Sequence, residues 1–156
     1  MCRYAVRDVK AGEVLEVYEE RAHYLVTKAH VDAKWTTQMK GWFGSYAYPL
    51  IGDTYVMWSD KPTDWRPINH SCDPNLWFGA DHSLNVYARR AIARGEELTM
   101  DYATFCAGEY MADFPCACGA AACRGTVTGA DYGRHPELRA RYGTRVTHYV
   151  WLQGPA

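Results

Sequence analysis

Apolar and polar residues alternate in short stretches along much of the chain, and turn-forming residues separate these stretches. Such alternation is typical of half-buried β-strands. It predicts a strand over Glu13–Tyr18 and a hairpin over Ser45–Trp58 that turns at Gly52–Asp53. Pro49 predicts an edge strand or a break within this hairpin. Three further strands are expected at Asn75–Phe78, Leu84–Ala88 and Leu98–Tyr102.

Helical patterns occur in two places. The residues around His30–Lys40 predict one short helix. Near the C-terminus, Pro136 suits the first position of a helix and Gly143 suits its end. Thr144 is expected to cap another short helix, with one face formed by Val146, Tyr149 and Val150. These patterns together predict a fold that is mainly β with short helices.

One pattern occurs twice. Residues 5–15 and 88–98 share the arrangement A-x-R-x-[VI]-x-x-G-E-x-L. Glycine at the shared turn position adopts a positive φ without a steric penalty. Each copy therefore predicts a strand, a tight turn and a second strand. Two copies are too few for a solenoid, so they indicate two similar β corners within one fold.

The composition limits the class of protein. With 156 residues, 48% of them hydrophobic and 22% charged, the chain is expected to form one domain with its own core. A net charge of −1 without a basic block argues against direct nucleic-acid binding. The sequence contains no run of about 18 apolar residues, so no membrane span is predicted. Because no secretory signal is recognised, an intracellular location is expected, in the nucleus or the cytoplasm alike.

Three cysteines lie close together near residue 120. Cys116, Cys118 and Cys123 form C-x-C-x4-C, and thiolates are common ligands of structural zinc, which takes four ligands in a tetrahedron. The Gly/Ala-rich loop between the last two is too small to be held by its own packing, which favours a metal site over uncoordinated thiols. Such a cluster alone is also compatible with a small zinc-ribbon nucleic-acid binder, which the near-neutral charge opposes. Spacing leaves four candidates for the fourth ligand: Cys72, Cys106, Cys2 and His135.

A polar segment lies between apolar flanks. Residues 69–75 combine five polar side chains with a thiol and a proline, whereas Ile68 precedes them and Leu76–Phe78 follows. These flanks predict that the polar segment lies inside the protein, where its groups need hydrogen bonds. Residue types alone leave a ligand site and an internal hydrogen-bonded cluster as equal alternatives. Tyr102, taken alone, is more typical of a core tyrosine with a satisfied hydroxyl.

Three motifs in this order resemble those of the SET-domain protein-lysine methyltransferases. The segment RPINHSCDPN at 66–75 is similar to R-F-[IL]-N-H-S-C-x-P-N, and GEELTMDY at 95–102 is similar to G-E-E-L-T-[FYI]-D-Y. The cysteine segment at 116–125 resembles the family's post-SET zinc motif. The resemblance covers residues 2–129. It implies a SET-domain fold of small curved β-sheets with a knot-like core at 1–105, a zinc-binding post-SET segment at 106–129, and a C-terminal helical tail at 130–156 outside the resemblance.

The resemblance also implies an activity. Methyl groups would pass from S-adenosylmethionine to lysine side chains of a protein substrate, such as a histone tail. Apart from the resemblance, the protein is expected to be a monomer. By this resemblance Asn69 and His70 bind the cofactor, Tyr4 and Ala117 are further cofactor contacts, and Tyr102 is the catalytic tyrosine.

The same resemblance implies the zinc ligands. Cys72 becomes the fourth ligand, beside Cys116, Cys118 and Cys123, and Cys2 and Cys106 become spectators.

The chemistry requires a particular channel. A free lysine has a pKa of about 10.4 and must lose its proton before it attacks a methyl group. An apolar channel next to a sulfonium favours the neutral amine through desolvation and like-charge repulsion. Aromatic walls are suited to such a channel. The candidates are Tyr46, Tyr48, Tyr55, Trp58 and Tyr102.

Three positions depart from the family pattern. The family opens with G-x-G-x-[FY]-A, and here Tyr4–Ala5 match its end while Cys2 replaces its second glycine. Pro67 replaces an aromatic residue. Met100 occupies the position where Phe or Tyr usually tunes the number of methyl groups, and its flexible side chain without a hydroxyl predicts products beyond monomethyl-lysine. The incomplete glycine motif supports an alternative function, a catalytically impaired SET domain that serves as a protein-interaction module.

Overall fold

A computed structural model describes residues 3–16, 24–57, 59, 61, 68–106 and 113–153 of the protein. Its strands are β1 (Val14–Glu16), β2 (Tyr24–Thr27), β3 (Tyr48–Ile51), β4 (Thr54–Met57), β5 (Asn69–His70), β6 (Leu76–Phe78), β7 (Val86–Ala88), β8 (Thr99–Met100), β9 (Phe114–Pro115) and β10 (Thr126–Val127). Its helices are α1 (Lys28–Lys34), α2 (Thr37–Tyr46), a 3₁₀ helix (Tyr102–Thr104), α3 (Asp131–Arg134), α4 (Pro136–Tyr142) and α5 (His148–Gln153). The small sheets and short helices confirm the predicted fold class.

The strands of the described ranges form four small sheets. Two sheets have three strands, in the orders β1-β7-β6 and β2-β4-β3, and two are pairs, β5 with β8 and β9 with β10. The β5–β8 pair is parallel, with Asn69 opposite Thr99 and His70 opposite Met100. This pairing places the polar segment at 69–75 directly beside the segment that leads to Tyr102. It is therefore the arrangement that builds the site.

The two copies of the repeated pattern pair with each other symmetrically. At the centre, Val9 and Ile92 exchange both backbone hydrogen bonds, at 2.9 and 3.0 Å. Gly12 and Gly95 adopt positive φ angles of 80° and 82°, and each donates its amide to the alanine that opens the other copy, at 2.8 and 2.7 Å. The repeat therefore forms two similar β corners, as the sequence predicted. Their reciprocal hydrogen bonds relate the two corners by an approximate local two-fold axis.

Side chains repeat this symmetry. Arg7 pairs with Glu13 in one copy, and Arg90 pairs with Glu96 in the other. Each of these glutamates also accepts a hydrogen bond from the amide three residues before it, at 3.0 Å in the first copy and 3.1 Å in the second. The shared arginine and glutamate of the pattern therefore brace the two turns.

Three groups of buried residues form the core. The largest surrounds the sheet β1-β7-β6 and includes Met100, which is 4% exposed. A second lies between the sheet β2-β4-β3 and the helices α1 and α2. The third joins Ala103, next to Tyr102, to side chains of the C-terminal helices. None of the helices in the described ranges combines the length and the apolarity that a membrane span requires.

Several element boundaries differ from the prediction. The helix expected around His30–Lys40 is two helices, because Thr27 and Thr36 each accept an amide hydrogen bond as N-caps. The second helix runs to Tyr46, so the hairpin begins at Tyr48 rather than Ser45. Its turn at Gly52–Asp53 is confirmed, and β3 is an edge strand whose register shifts at Pro49, as predicted. Tyr18 and Trp58 lie outside the described residues.

The C-terminal half brings two further corrections. The strand expected to reach Tyr102 ends at Met100, and Tyr102 instead opens the 3₁₀ helix, because the Asp101 side chain caps the amide of Ala103 at 3.0 Å. The helix from Pro136 to the Gly143 cap is confirmed. Thr144 does not cap the last helix, since Thr147 accepts the amide of Val150 there.

Candidate active site

A cavity of about 370 Å³ lies where the β5–β8 pair meets the cysteine segment. This volume is in the range of small-molecule sites. One wall comes from β5 and the end of the motif at 95–102, and the other comes from β9 and the residues after it. The lining residues are Asn69, His70, Glu97, Tyr102, Phe114, Pro115, Cys116, Ala117 and Cys118.

Tyr102 is one of the residues that line this cavity. The hydroxyl donates a hydrogen bond to the carbonyl of Ile68 at 3.0 Å. The ring packs against His70 and Phe114, with centroids 5.2 and 5.9 Å away. Burial raises the pKa of Tyr102 to about 12, and the nearby groups of Cys106 and Tyr46 act in the same direction. Tyr102 is therefore a neutral phenol at physiological pH, and its oxygen keeps the capacity to accept a hydrogen bond while its hydrogen is donated to Ile68.

His70 is held in one tautomer. Its Nδ1 accepts the amide hydrogen of Tyr102 at 3.2 Å, so the ring hydrogen of the neutral imidazole is on Nε2. Nε2 lies 3.3 Å from the sulfur of Cys72. Burial lowers the pKa of His70, although the nearby carboxylate of Asp101 opposes this change. The imidazole is therefore neutral and links the cavity to the cysteine cluster.

Four cysteine sulfurs converge next to the cavity. The Sγ atoms of Cys72, Cys116, Cys118 and Cys123 all lie within 4.8 Å of one another, and those of Cys72 and Cys116 are 3.9 Å apart. A tetrahedral ion with four Zn–S bonds of about 2.3 Å separates its sulfurs by about 3.8 Å. The donor set and its spacing therefore fit a zinc ion.

The surroundings of the sulfurs also suit thiolates. The sulfur of Cys72 accepts the amide of Arg124, and the sulfur of Cys118 accepts the amide of Cys72, both at 3.4 Å. Burial raises the pKa of Cys72 to about 12. Burial also disfavours ionisation of Cys118, but backbone hydrogen bonds and neighbouring thiols lower its pKa to about 6. Because Cys72 stays protonated at neutral pH on its own, its thiolate form needs a cation beside it.

The other candidates for the fourth position differ in placement. Cys106 is outside the group of four sulfurs, and His135 instead contacts the carboxylate of Glu137 at 3.0 Å. Cys2 lies outside the described residues, as do Arg66 and Pro67.

A buried ionic network supports the site from behind. The Asp101 carboxylate is fully buried and accepts two hydrogen bonds from the Arg124 guanidinium, at 2.7 and 2.8 Å. Arg124 also donates to Asp131 at 2.7 Å, and the hydroxyl of Tyr142 donates to Asp101 at 3.1 Å. Sequence reasoning missed this network, although Asp101 and Arg124 both belong to the recognised motifs. The available signal was that each lies next to a predicted site residue: Asp101 directly precedes Tyr102, and Arg124 directly follows Cys123.

The cavity brings together most of the predicted site residues. Asn69, His70, Tyr102 and Ala117 all line it. Tyr4 lies at its margin: its backbone pairs with the lining residue Glu97, and the residue is 54% exposed. A cofactor contact at Tyr4 stays a prediction. Glu97 and Phe114 line the cavity but were not predicted, and for Glu97 the signal was its place within the motif at 95–102.

The aromatic candidates for a channel separate into two groups. Tyr46 lies near enough to Tyr102 to raise the pKa of that phenol. Tyr48 is 6% exposed and packs against Phe105, with ring centroids 5.9 Å apart, so it belongs to the largest core group. Tyr55 is 2% exposed and packs against Phe43 with centroids 4.8 Å apart, so it belongs to the core beside α2.

Comparisons with known proteins point to one family. A family model described as the SET domain matches residues 1–103. Similar proteins include the H3 lysine-4 specific histone-lysine N-methyltransferase of Cryptococcus neoformans, 31% identical over 78% of this chain and 8% of that protein. Histone-lysine N-methyltransferase ASHH3 of Arabidopsis thaliana is 30% identical over 77% of this chain and 33% of that protein. The H3 lysine-36 specific histone-lysine N-methyltransferase of Candida albicans is 36% identical over 50% of this chain and 10% of that protein. The chain therefore spans a third or less of the length of these relatives.

Proposed function

Since the chain belongs to the SET-domain family, we propose that it transfers methyl groups from S-adenosylmethionine to lysine side chains of a protein, such as a histone. The observation that carries this proposal is the cavity, where a neutral tyrosine hydroxyl and a neutral histidine adjoin the amide of Asn69. The proposal treats 1–105 as the SET domain, 106–129 as the post-SET segment and 130–156 as the tail.

The residues of the cavity fit the cofactor. Its volume suits a small molecule, Asn69 and Glu97 offer polar groups, and Phe114, Pro115 and Ala117 offer an apolar wall. Asn69 and His70 would hold S-adenosylmethionine, with Ala117 on the opposite wall. When bound there, this cofactor supplies an electrophilic methyl group on a sulfonium sulfur.

The protein's own groups would then align the amine. The hydroxyl oxygen of Tyr102 can accept an N–H of a neutral lysine and so aim its lone pair, and the rings of Tyr102 and Phe114 exclude water from the reacting atoms. Desolvation among these rings favours the uncharged amine. Tyr102 stays protonated during the reaction, because its pKa is raised to about 12.

We also propose that the four cysteines hold one structural zinc ion. Cys116 and Cys118 contribute to the cavity lining, so a metal at the sulfurs would fix one wall of the cofactor site. His70, with its Nε2 next to the Cys72 sulfur, would then couple the metal to the cavity.

Two measurements on the full chain test the proposal. Titration calorimetry with S-adenosylhomocysteine should show binding at one site per chain. Incubation with methyl-labelled cofactor, histones and a whole-cell lysate should label a protein lysine. Peptides around lysines 4 and 36 of H3 are included, because the relatives' names specify both. Mass spectrometry of the product is expected to find more than one methyl group on the lysine.

Absence of cofactor binding would instead favour the interaction module. The sequence feature behind that alternative is the incomplete glycine motif around Cys2. Binding of the cofactor without any labelled product would locate the defect in the substrate channel or in the choice of substrate.

A further inference from the structure

Asn69 and Glu97 form a pair on one wall of the cavity. The amide nitrogen of Asn69 donates to the Glu97 carboxylate at 2.7 Å. An ionised carboxylate only accepts hydrogen bonds, so the end of the amide that faces it must be the NH₂ group. The amide orientation is therefore fixed by Glu97, and the carbonyl oxygen of Asn69 is turned away from it as an acceptor.

Glu97 also sets the charge of this wall. Among the described lining residues it is the one carboxylate, and no lysine or arginine is among them. The Nδ1 atom of His70 accepts the amide hydrogen of Tyr102, so this ring is in its neutral imidazole form. Any zinc-bound thiolates on the opposite wall add negative rather than positive charge. The described part of the cavity is therefore suited to a ligand with a cationic head.

The repeated β corner shows that the fold does not require a carboxylate at this position. In the symmetric arrangement, Tyr4 pairs with Glu97 in one copy, and Tyr87 pairs with Val14 in the other. Val14, the counterpart of Glu97, is an exposed valine that serves the same backbone pairing. The neighbouring glutamates Glu13 and Glu96, by contrast, play matching structural roles in both copies. The geometry of the β corner therefore does not explain why position 97 carries a carboxylate where position 14 carries a valine.

We infer that Glu97 selects the ammonium group of the cavity's ligand. By accepting the NH₂ group of Asn69, Glu97 leaves the carbonyl oxygen of that amide to accept a hydrogen bond from the ligand. Glu97 also supplies a negative charge to the same wall. The inference rests on the proposed function, under which this group is the α-ammonium of S-adenosylmethionine. An ammonium recognised by a carboxylate and an amide oxygen gains charge-assisted hydrogen bonds, which are stronger than neutral ones.

Binding of two ligands by the full chain tests this inference. The ligands are S-adenosylhomocysteine and an analogue in which hydrogen replaces its α-amino group, both measured by titration calorimetry. Glu97→Gln keeps the size of the side chain but removes its charge and lets the Asn69 amide turn around. It should weaken binding of S-adenosylhomocysteine about 10- to 100-fold and change the affinity of the analogue less than about threefold.

Two further variants control the experiment. Glu97→Val copies the residue of the equivalent corner, so it should fold and show the same loss. Glu137→Gln removes one carboxylate charge on α4, where the side chain is 65% exposed and pairs with His135, and should leave both affinities unchanged. Equal weakening of both ligands by Glu97→Gln, or no weakening of either, would overturn the inference while the proposed function stands. Failure of the unaltered protein to bind S-adenosylhomocysteine would overturn the proposed function, and this inference with it.

Discussion

At the scale of single residues, the half-buried Tyr102 and the buried Tyr132 differ in what their hydroxyls can do. Tyr102 and Tyr132 each donate to a backbone carbonyl, at 3.0 and 2.9 Å. Tyr102 lines the cavity, whereas Tyr132 packs in the core of the C-terminal helices. Similar hydrogen bonds thus occur in two settings. The pair offers a direct test of whether a hydroxyl serves stability or chemistry.

Tyr102→Phe should lower the rate of methyl transfer and leave the fold intact. The change removes one oxygen and keeps the ring, so zinc content and cofactor affinity should hardly change. Loss of one positioned polar group in a transition state typically costs about 10²–10³-fold in rate. Steady-state kinetics should show kcat and kcat/KM falling together.

Tyr132→Phe is the matched control for this experiment. It loses a hydrogen bond to a neutral carbonyl and should cost about 0.5–1.5 kcal/mol of stability, with unchanged turnover per folded molecule. Near-normal turnover by a well-folded Tyr102→Phe protein would mean that Tyr102 is a structural tyrosine.

At the scale of elements, sequence patterns predicted those helices, strands and turns that depend on residues close together in the chain. The strands, the turn at Gly52–Asp53 and the helix from Pro136 were predictable, because alternation, turn residues and caps are local signals. The break between α1 and α2 was missed, although Thr36 is a good N-cap, because the pattern around it is weak. The 3₁₀ helix at Tyr102 was missed because its cap is Asp101, whose carboxylate is also bound by Arg124 from a segment distant in sequence.

The paired β corners predict equal costs for equal substitutions. Gly12 and Gly95 share a positive φ, and nothing lies within 4 Å of the Cβ that alanine would add at either. Gly12→Ala and Gly95→Ala should therefore each destabilise the protein by about 1–2 kcal/mol, from backbone strain alone. Chemical denaturation of the two variants measures this. A difference of more than about 1 kcal/mol between them would show that the corners are not energetically equivalent.

The cysteine segment is expected to depend on its metal. Removal of zinc by a chelator should lower the melting temperature, because the loop between the last two cysteines has little packing of its own. Cys72→Ser should reduce metal content below one zinc per chain, since it removes a ligand that is buried among the other three sulfurs. Protons compete with the metal for the thiolates, so the zinc affinity should fall as the pH falls.

Cys106→Ser is the control for the cysteine experiment. Cys106 lies outside the group of four sulfurs, and burial raises the pKa of its thiol to about 12. This variant should retain one zinc per chain. Full zinc retention by Cys72→Ser, measured by elemental analysis, would contradict the assignment of the fourth ligand.

At the scale of the whole molecule, contacts distant in sequence join the tail to the site. Arg141 donates to the carbonyl of Cys72 at 2.7 Å, and the amide of Thr147 donates to the carbonyl of Thr104 at 2.8 Å. Arg145 lies over the ring of Trp77, 4.1 Å from its centroid. The recognised motifs end before these helices, so sequence reasoning had no pattern with which to place them. Only the folded arrangement shows that they cover the reverse side of the site.

Tyr142 makes the contact of the tail that matters most for stability. Its hydroxyl donates to the buried carboxylate of Asp101 at 3.1 Å, and burial raises the pKa of Tyr142, so it remains a donor. Asp101 and Asp131 share the guanidinium of Arg124, which leaves this group of buried charges with an excess of negative charge. A donor to Asp101 therefore offsets a real desolvation cost.

Tyr142→Phe should consequently cost more than the equivalent change at Tyr132. A hydrogen bond to a charged group contributes about 1.5–3 kcal/mol, against about 0.5–1.5 kcal/mol for one to a neutral carbonyl. For a domain of this size the Tyr142→Phe loss lowers the melting temperature by about 3–12 °C. Turnover per folded molecule should stay within about twofold, because Tyr142 contacts Asp101 rather than the cavity. Equal melting temperatures for the two phenylalanine variants would show that the hydroxyl of Tyr142 does not support the buried carboxylate. A loss of turnover in Tyr142→Phe with its melting temperature unchanged would instead make the tail part of the catalytic alignment.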